Sequence, residues 1–361
     1  EDKEVEITVI TDRINTFYGS YPSEIAEELK EQGIQVVFTD LKPLRDSNPF
    51  YSGGHRTFLQ WFGTSGSGWI PNAFSRDSPD VTLRSYLDLL NFKANHRKVV
   101  VNEKEGLVTS ANPHDGSSLH SNIAFLVTGD ILRELVQTEK AAADLSGAEI
   151  EIAESETVFE QAESGEYDVQ LLTEGKIKKH LLDELKKTQK QEKITVGAFY
   201  LSDRDIVGEL LAASKRGADV KLILDANKDA FGREKNGVPN RPVAHELVTE
   251  SDQKIQVRWY KTNGEQYHTK LVFFERDQEA TVIGGSANFT KRNLGDFNLE
   301  TDLKISGPAD TGMMADIEEY FHTIWTNESG TYTENYEVFA DDSFGLRFLY
   351  RFQEWSGISS F

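Results

Sequence analysis

A short stretch that occurs twice organises this chain. Its first copy, His96 to Glu103, reads His-Arg-Lys-Val-Val-Val-Asn-Glu, and its second copy, His268 to Glu275, reads His-Thr-Lys-Leu-Val-Phe-Phe-Glu. Each copy has the form H-x-K-x4-E and is followed by a Ser-Ala-Asn triplet, at 110–112 and at 286–288. Because successive side chains of a strand point to opposite faces, we expect the histidine and lysine of each copy to share one face. The repetition indicates two related halves.

The residue types in this motif suit the cleavage of a phosphodiester. One histidine can attack phosphorus and form a phosphohistidine, and a second can protonate the leaving alcohol. Lysine and asparagine donate hydrogen bonds where negative charge develops on the phosphate oxygens. One copy carries half of that set, so we expect both copies to meet around one phosphate. A lone histidine would be interpreted as a core residue, but its recurrence in the same context favours catalysis.

The paired motif resembles the signature of the phospholipase D superfamily, which is H-x-K-x4-D followed by a G-S-x-N element. The flanking stretches Leu90–His96 and Tyr267–Lys270 are similar to its bacterial, cardiolipin-synthase-related branch. The likeness covers nearly the whole chain. Two departures stand out: glutamate replaces the aspartate in both copies (Glu103 and Glu275), and Thr109 replaces the first glycine of copy one. Since that acid is usually supportive in the family, we expect activity to survive its replacement.

The resemblance implies one catalytic set drawn from both copies, with no metal and no cofactor. The predicted catalytic residues are His96, Lys98, His268, Lys270 and Glu300; the predicted phosphate ligands are Asn112, Asn288, Ser110 and Ser286; and the supporting residues are Glu103 and Glu275. The serines could instead only shape the turn, and the asparagines could satisfy backbone groups there. No cluster of His, Asp and Glu at ligand spacing stands apart from the motifs, so we expect no divalent-metal requirement.

The two halves also differ in the strand that follows the motif. When Asn298–Glu300 is aligned with Asn122–Ala124, the acid Glu300 corresponds to an alanine. A carboxylate bonded to one imidazole nitrogen sets the tautomer and raises the basicity of the other nitrogen. By analogy with related enzymes, Glu300 would orient His96 as the nucleophile and leave His268 as the general acid. The alternative is an exposed or ion-paired glutamate on a strand.

Strand and helix patterns alternate in both halves. A strand at 5–10, a helix at 22–31 and a strand at 34–39 are echoed at 220–225, 242–248 and 255–260. With the resemblance, this predicts an α/β fold: a pseudo-twofold pair of phospholipase-D-like α/β/α units with mixed sheets flanked by helices and one active site at their interface. The predicted divisions are a first half at 1–144, a bridging segment at 145–190, a second half at 191–330, and a C-terminal tail at 331–361 that packs on the body.

The halves differ in two further segments. The second half has an additional strand at 194–201 and helix at 205–216, whereas nothing that precedes Val5 corresponds to them. From the family we therefore expect the first half to be N-terminally incomplete, lacking an upstream strand and a membrane anchor. The first half carries an insertion at about 41–86 that is rich in glycine, serine, proline and aromatic residues, including Phe74. We interpret it either as a lid or binding loop or as a loop packed on its own aromatic residues.

Composition and net charge exclude several classes of chemistry and of binding partner. A chain of 361 residues with 38% hydrophobic content can build a proper core, and its lack of cysteine excludes disulfides and thiol chemistry. A formal charge of −21 argues against a basic track for nucleic acid and against broad docking on anionic membranes. No apolar run reaches the length of a membrane span. We therefore expect the chain itself to be soluble, and the resemblance implies a bacterial protein that is membrane-associated through a segment missing here.

The predicted function is a phosphodiester hydrolase or transferase that acts on phospholipids through a covalent phosphohistidine. Its partners would be a phospholipid substrate and, in addition, a membrane surface, and the chain would be a monomeric pseudo-dimer. One alternative is a phosphodiesterase or nuclease acting on nucleic acid, which the acidic charge disfavours. The other is a binding module without catalysis, which two intact motifs disfavour.

Overall fold

The computed structural model describes residues 5–64, 66, 68–72, 78–90, 92–148, 150, 165–230 and 233–357. The chain divides into two compact units. Unit one comprises the described residues within 5–95 and 133–150, and unit two those within 96–132 and 165–357. Both H-x-K motifs therefore lie in unit two. The division into two halves and a bridge stays a prediction.

The helices are α1 (Glu24–Glu31), α2 (Pro49–Phe58), α3 (Leu83–Leu89), α4 (Asp115–Ser118), α5 (Ile131–Asp144), α6 (Gly175–Lys187), α7 (Arg204–Arg216), α8 (Asn240–Glu250), α9 (Lys291–Leu294), α10 (Gly312–Thr326) and α11 (Phe344–Ser356). The strands are β1 (Thr8–Thr11), β2 (Gln35–Phe38), β3 (Val99–Val101), β4 (Gly106–Thr109), β5 (Ala124–Val127), β6 (Asp168–Thr173), β7 (Lys193–Ala198), β8 (Asp219–Asp225), β9 (Asp229–Ala230), β10 (Arg233–Glu234), β11 (Gln256–Tyr260), β12 (Lys270–Glu275), β13 (Glu279–Gly285), β14 (Thr301–Pro308) and β15 (Thr333–Asn335).

Unit one is built on a parallel pair of strands, β1 and β2, joined by α1. The insertion is more regular than the sequence analysis predicted, because it contains α2 and most of α3. Asn48 accepts a hydrogen bond from the Tyr51 amide (3.0 Å) and precedes Pro49, while Thr82 accepts from the Ser85 amide (3.1 Å). Both are ordinary helix-start signals that a composition-based interpretation overlooked. Phe74 lies outside the described residues.

Unit two contains an eight-stranded sheet in the order β15-β11-β8-β7-β12-β13-β14-β6 and a separate three-stranded sheet, β3-β4-β5. Strands β7, β8 and β11 pair in parallel and the remaining neighbours pair antiparallel, so the large sheet is mixed. Helices α6, α7 and α8 cover it over a core that includes the fully buried Trp259 and Phe274. The predicted α/β class, with a mixed sheet flanked by helices, is confirmed.

Two chain segments add to this sheet or its helical layer. The segment predicted as a bridge supplies α6 and also β6, an edge strand that the sequence analysis did not predict; residues 149 and 151–164 lie outside the described residues. In the tail, Tyr350 of α11 is buried and its hydroxyl donates to Glu246, which also holds Arg204 at 2.6 Å. Within the described residues, no helix combines the length and apolarity that crossing a membrane requires.

Candidate active site

The two motifs have the same local structure. His96 and His268 lie in extended segments just before β3 and β12, and not inside the strands as the alternation argument implied. In each copy the lysine ammonium donates back to the carbonyl of its own histidine, Lys98 at 2.8 Å and Lys270 at 3.0 Å. Both lysines are buried. The repeated contact places each ammonium beside its histidine.

The first histidine is held by a carboxylate. Nδ1 of His96 lies 3.0 Å from both carboxylate oxygens of Glu300, which is fully buried. The hydroxyl of Ser286 and the amide of Asn293 also donate to Glu300. Three donors thus hold one carboxylate, and because Nδ1 is the atom engaged, Nε2 of His96 is left for a substrate.

The second histidine is held by a neutral amide. Nδ1 of His268 lies 3.0 Å from Oδ1 of Asn122. The Asn122 amide nitrogen donates to the carbonyls of Ser117 (2.8 Å) and His120 (3.1 Å), which assigns its oxygen as the acceptor. Nδ1 of His268 is therefore a donor, and its Nε2 is directed away from this contact.

The structure corrects the alignment of Glu300 with Ala124. The true counterpart of Glu300 is Asn122, because each contacts the opposite histidine and each receives the hydroxyl of its triplet serine, Ser286 for Glu300 and Ser110 (3.2 Å) for Asn122. Glu300 follows its serine by 14 positions and Asn122 follows its serine by 12. The connection after the first triplet is two residues shorter, so an alignment that matches Asn298 with Asn122 places Glu300 opposite Ala124.

The same register explains why Thr109 replaces a glycine. In the second half, Gly285 allows a close approach, since a Cβ there would lie 2.7 Å from Cα of Asp302, and the Asp302 carboxylate accepts from the Ala287 amide at 3.0 Å. The first half has alanine at the Asp302 position, and the Thr109 hydroxyl accepts from the Ala111 amide at 3.1 Å instead. Threonine thus replaces both the glycine and the aspartate of the second half.

Burial and positive charge control the ionisation of the site. Burial lowers the pKa of His268 well below 6.5, and the charges of Lys270 and Lys98 lower it further. Burial also lowers the pKa of His96, but the Glu300 carboxylate opposes that shift. Burial and the charge of Lys98 hold the pKa of Lys270 well below its usual value. Because Lys98 and Lys270 each affect both rings, all four motif side chains occupy one neighbourhood of unit two.

The triplet serines are already engaged within the protein. Ser286 donates to Glu300, and Ser110 donates to Asn122. Both serines are fully buried. This arrangement supports the alternative in which the serines shape the turn and position the acceptors behind the histidines.

The triplet asparagines occupy equivalent turns. The carbonyl of Asn112 accepts from the His114 amide (2.9 Å), and the carbonyl of Asn288 accepts from the Thr290 amide (2.8 Å). Oδ1 of Asn288 is buried and, among the described residues, has no hydrogen-bond partner. A buried unpaired amide is costly unless a ligand completes its hydrogen bonds, which keeps the phosphate-ligand prediction open for Asn288.

The structure does not bring the motif glutamates to the histidines. Glu275 lies at the far end of β12 from Lys270, about 16 Å away at about 3.3 Å per residue, and pairs with Lys193 at 2.9 Å. Glu103 is exposed in the turn between β3 and β4. Their placement explains why an Asp-to-Glu exchange leaves the centre intact.

The roles of Phe199 and Asn122 in the site escaped the sequence analysis. Phe199 lies 5.0 Å from the His268 ring and 5.5 Å from the Lys270 ammonium, and the His120 ring lies 5.9 Å from His268. Asn122 could have been found by allowing a shorter connection after the first triplet, whereas nothing in the sequence marks Phe199. Over the described ranges, no group of three or more His, Cys, Asp or Glu side chains could hold a metal ion.

The chain is similar to several known proteins. Residues 181–325 match the family described as "Cardiolipin synthase, PLD-like domain". The fold is similar to that of phosphatidylserine synthase from Haemophilus influenzae Rd KW20, with 12% identity, a TM-score of 0.58, and coverage of 98% of this chain and 89% of that one. Nuc from Salmonella typhimurium, a phospholipase D family member, matches with 21% identity and a TM-score of 0.34 over 47% of this chain and 98% of its own. No curated protein matches the chain. The predicted resemblance to the phospholipase D superfamily is confirmed for residues 181–325, which match its PLD-like domain.

Proposed function

Since this chain carries a phospholipase-D-like domain at residues 181–325, we propose that it cleaves a phosphodiester bond of a phospholipid through a covalent phosphohistidine. One observation carries the proposal: the half-buried His96 and the buried His268 both have Nδ1 engaged by the protein, and only the ring of His96 has a carboxylate behind it. Such a pair supplies an attacking nitrogen and a proton donor with unequal surroundings.

In the first step, Nε2 of His96 attacks phosphorus while the bond from phosphorus to the leaving oxygen breaks. The ring gains positive charge, which the Glu300 carboxylate stabilises through the Nδ1 hydrogen. Nε2 of His268 gives its proton to the leaving oxygen. Although the pKa of His268 is depressed in the free protein, an anionic phosphodiester beside the ring raises it, so the acid form is populated in the complex.

In the second step, a water or alcohol oxygen attacks the phosphohistidine. Its proton passes to Nε2 of His268, and the bond between phosphorus and Nε2 of His96 breaks. Water as the acceptor gives hydrolysis, and an alcohol gives phosphatidyl transfer. Lys98 and Lys270 neutralise the charge on the non-bridging oxygens, and the amides of Asn112 and Asn288 donate to them. This set needs no metal ion.

Phospholipid is the favoured substrate because of charge. With a net charge of −21, the chain lacks the excess of lysine and arginine with which proteins neutralise successive phosphates of a nucleic acid. A single lipid phosphate requires only the local positive charge that Lys98 and Lys270 supply. The membrane surface would then be the source of substrate.

The test compares phospholipid vesicles with single- and double-stranded nucleic acid as substrates for the purified chain. We expect head-group release from phospholipid that is lost in His96→Ala and unchanged in His322→Ala, a control at an exposed histidine of α10. Nucleic-acid cleavage without phospholipid turnover would replace the lipid substrate with nucleic acid. Failure to turn over either substrate would favour a binding module.

A further inference from the structure

Unit one contains a cavity of about 760 Å³, formed largely by the insertion. Its walls come from the segments that follow β1 and β2 and from α2 and α3. This volume is in the range of small-molecule sites, and in α/β folds the carboxyl ends of parallel strands are the usual place for one. The residues that line the cavity belong to unit one, whereas both H-x-K motifs lie in unit two.

The lining of this cavity is positively charged, in contrast to the chain as a whole. Its described residues carry five cationic side chains and three carboxylates, whereas the net charge of the chain is −21. The cations are Arg13, Lys42, Arg56, Arg84 and Lys93, and the carboxylates are Asp40, Asp46 and Asp88. A cavity that concentrates cations in an acidic protein selects for an anion.

Ion pairs among the lining residues neutralise part of this positive charge. Asp46 holds Arg56 at 2.5 Å and Lys93 at 3.0 Å, so one carboxylate is offset by two cations. Asp88 lies 3.7 Å from His55. These pairs position the cationic side chains around the cavity and leave a net positive charge.

Two cations at the strand ends form no direct ion pair with a described carboxylate, although the charge of Lys42 acts on the Asp88 carboxylate and opposes the rise that burial causes in its pKa. The Arg13 guanidinium lies 4.2 Å from the centre of the Phe38 ring, which orients it without neutralising it. Among the described residues, no carboxylate forms an ion pair with Arg13 or Lys42. Arg13 follows β1 and Lys42 follows β2, so both lie at the carboxyl ends of the parallel pair. Two cations that line one cavity supply the charge that a phosphate group requires.

The remainder of the lining is apolar and continues to an exposed aromatic rim. Leu41, Leu59 and Leu87 line the cavity together with Trp61, which is 76% exposed. On either side of Leu59 and Trp61 in the chain, Phe58 and Phe62 are also exposed. Tryptophan and phenylalanine exposed in this way are typical of surfaces that contact the lipid interface.

We propose that this cavity binds one anionic phospholipid, with its phosphate between Arg13 and Lys42 and its acyl chains along Leu59, Leu87 and Trp61. The insertion is then a lipid-binding element, in line with the binding-loop alternative of the sequence analysis. The residues that line the site belong to unit one, and its existence does not depend on the proposed reaction. A free phosphate shares the head-group chemistry but lacks the apolar part.

The test is calorimetric titration of the full chain with dioctanoyl phosphatidate below its micelle concentration, beside inorganic phosphate, dioctanoylglycerol and AMP. We expect phosphatidate to bind at least about 10-fold more tightly than the other three probes. The double variant Arg13→Gln/Lys42→Gln should weaken phosphatidate binding by about 10-fold or more. The matched control Lys104→Gln/Lys254→Gln removes two positive charges at exposed positions of unit two and should leave binding unchanged.

Single variants test the proposal even if the double variant fails to fold. Lys42 is exposed, so Lys42→Gln alone should keep the fold, as checked by thermal unfolding, and should weaken binding several-fold. Trp61→Ala should weaken phosphatidate binding and leave phosphate binding unchanged. Binding that survives in the double variant would overturn the proposal, as would AMP or phosphate binding as tightly as phosphatidate. Loss of binding in His96→Ala would place the lipid at the catalytic motifs and have the same consequence.

Discussion

Oδ1 of Asn122 lies 3.0 Å from Nδ1 of His268. Glu300 occupies the same position beside Nδ1 of His96, also at 3.0 Å. Both acceptors select the tautomer with a proton on Nδ1 and a free Nε2. Only the carboxylate also stabilises positive charge on its ring. The two halves therefore present similar geometry with unequal electrostatics, and this difference leads to the following predictions.

We expect His96→Ala and His268→Ala each to reduce kcat by at least about 10³-fold, because neither motif alone supplies both the nucleophile and the acid. The double variant should be no worse than either single variant, since residues that act as a unit are non-additive. Steady-state kinetics on phospholipid measure this, with His322→Ala as the control. Substantial turnover in either single variant would show that the motifs do not share one site.

The phosphoenzyme should carry its phosphorus on His96. Glu300→Gln should slow its formation by about 10²-fold or more with substrate binding nearly unchanged, because the amide no longer stabilises the charged ring. Rapid alkaline quench followed by peptide mapping locates the adduct, with Glu279→Gln as a control at an exposed glutamate of the same unit. His268→Ala should be least harmful for substrates with a good leaving group, which need no acid. An adduct on His268 would reverse the two roles.

Asn122→Asp should raise the pKa of His268 by about 1–3 units, since an adjacent carboxylate favours the imidazolium. In the wild type the folded pKa is below the unfolded value of 6.5, so the group reduces stability as pH falls below about 6.5. Asn122→Asp should recover part of the stability that the wild type loses as pH falls. Histidine NMR titration and melting temperatures between pH 5 and 8 report both effects, with the pKa of His96 as the internal reference. An unmoved His268 pKa would mean that residue 122 does not face the ring.

Thr109→Gly should lower the free energy of unfolding by about 2 kcal/mol, because the half-buried Ala111 amide loses its acceptor and glycine adds backbone freedom. Adding Ala124→Asp should restore most of the loss by recreating the Gly285 and Asp302 arrangement. Denaturant unfolding compares the single and double variants, and Thr128→Gly reports the cost of glycine at an exposed site. A double variant less stable than Thr109→Gly would contradict the view that Thr109 replaces both the glycine and the aspartate of the second half.

Much of the architecture could be predicted from hydrophobic periodicity and from the residues that begin or end helices and strands. The strands at 220–225 and 255–260 and the helix at 205–216 were placed within about a residue of β8, β11 and α7, because buried strands and capped helices are encoded over short windows. Strand β6 was missed, since an edge strand whose only partner is β14 has little local signature. The insertion was misjudged because its aromatic and glycine content concealed two helix starts.

The sequence by itself determined the chemistry. A repeated H-x-K motif and triplet name the histidines and lysines without reference to any contact, because residue type and spacing carry that information. Only the tertiary structure decided which side chain accepts the Nδ1 hydrogen bond of each histidine. The pairing of Asn122 with His268 joins positions 146 apart, and that of Glu300 with His96 joins positions 204 apart. A connection two residues shorter was enough to misalign Glu300 with Ala124, because local patterns specify strands whereas the register between distant strands is set by packing.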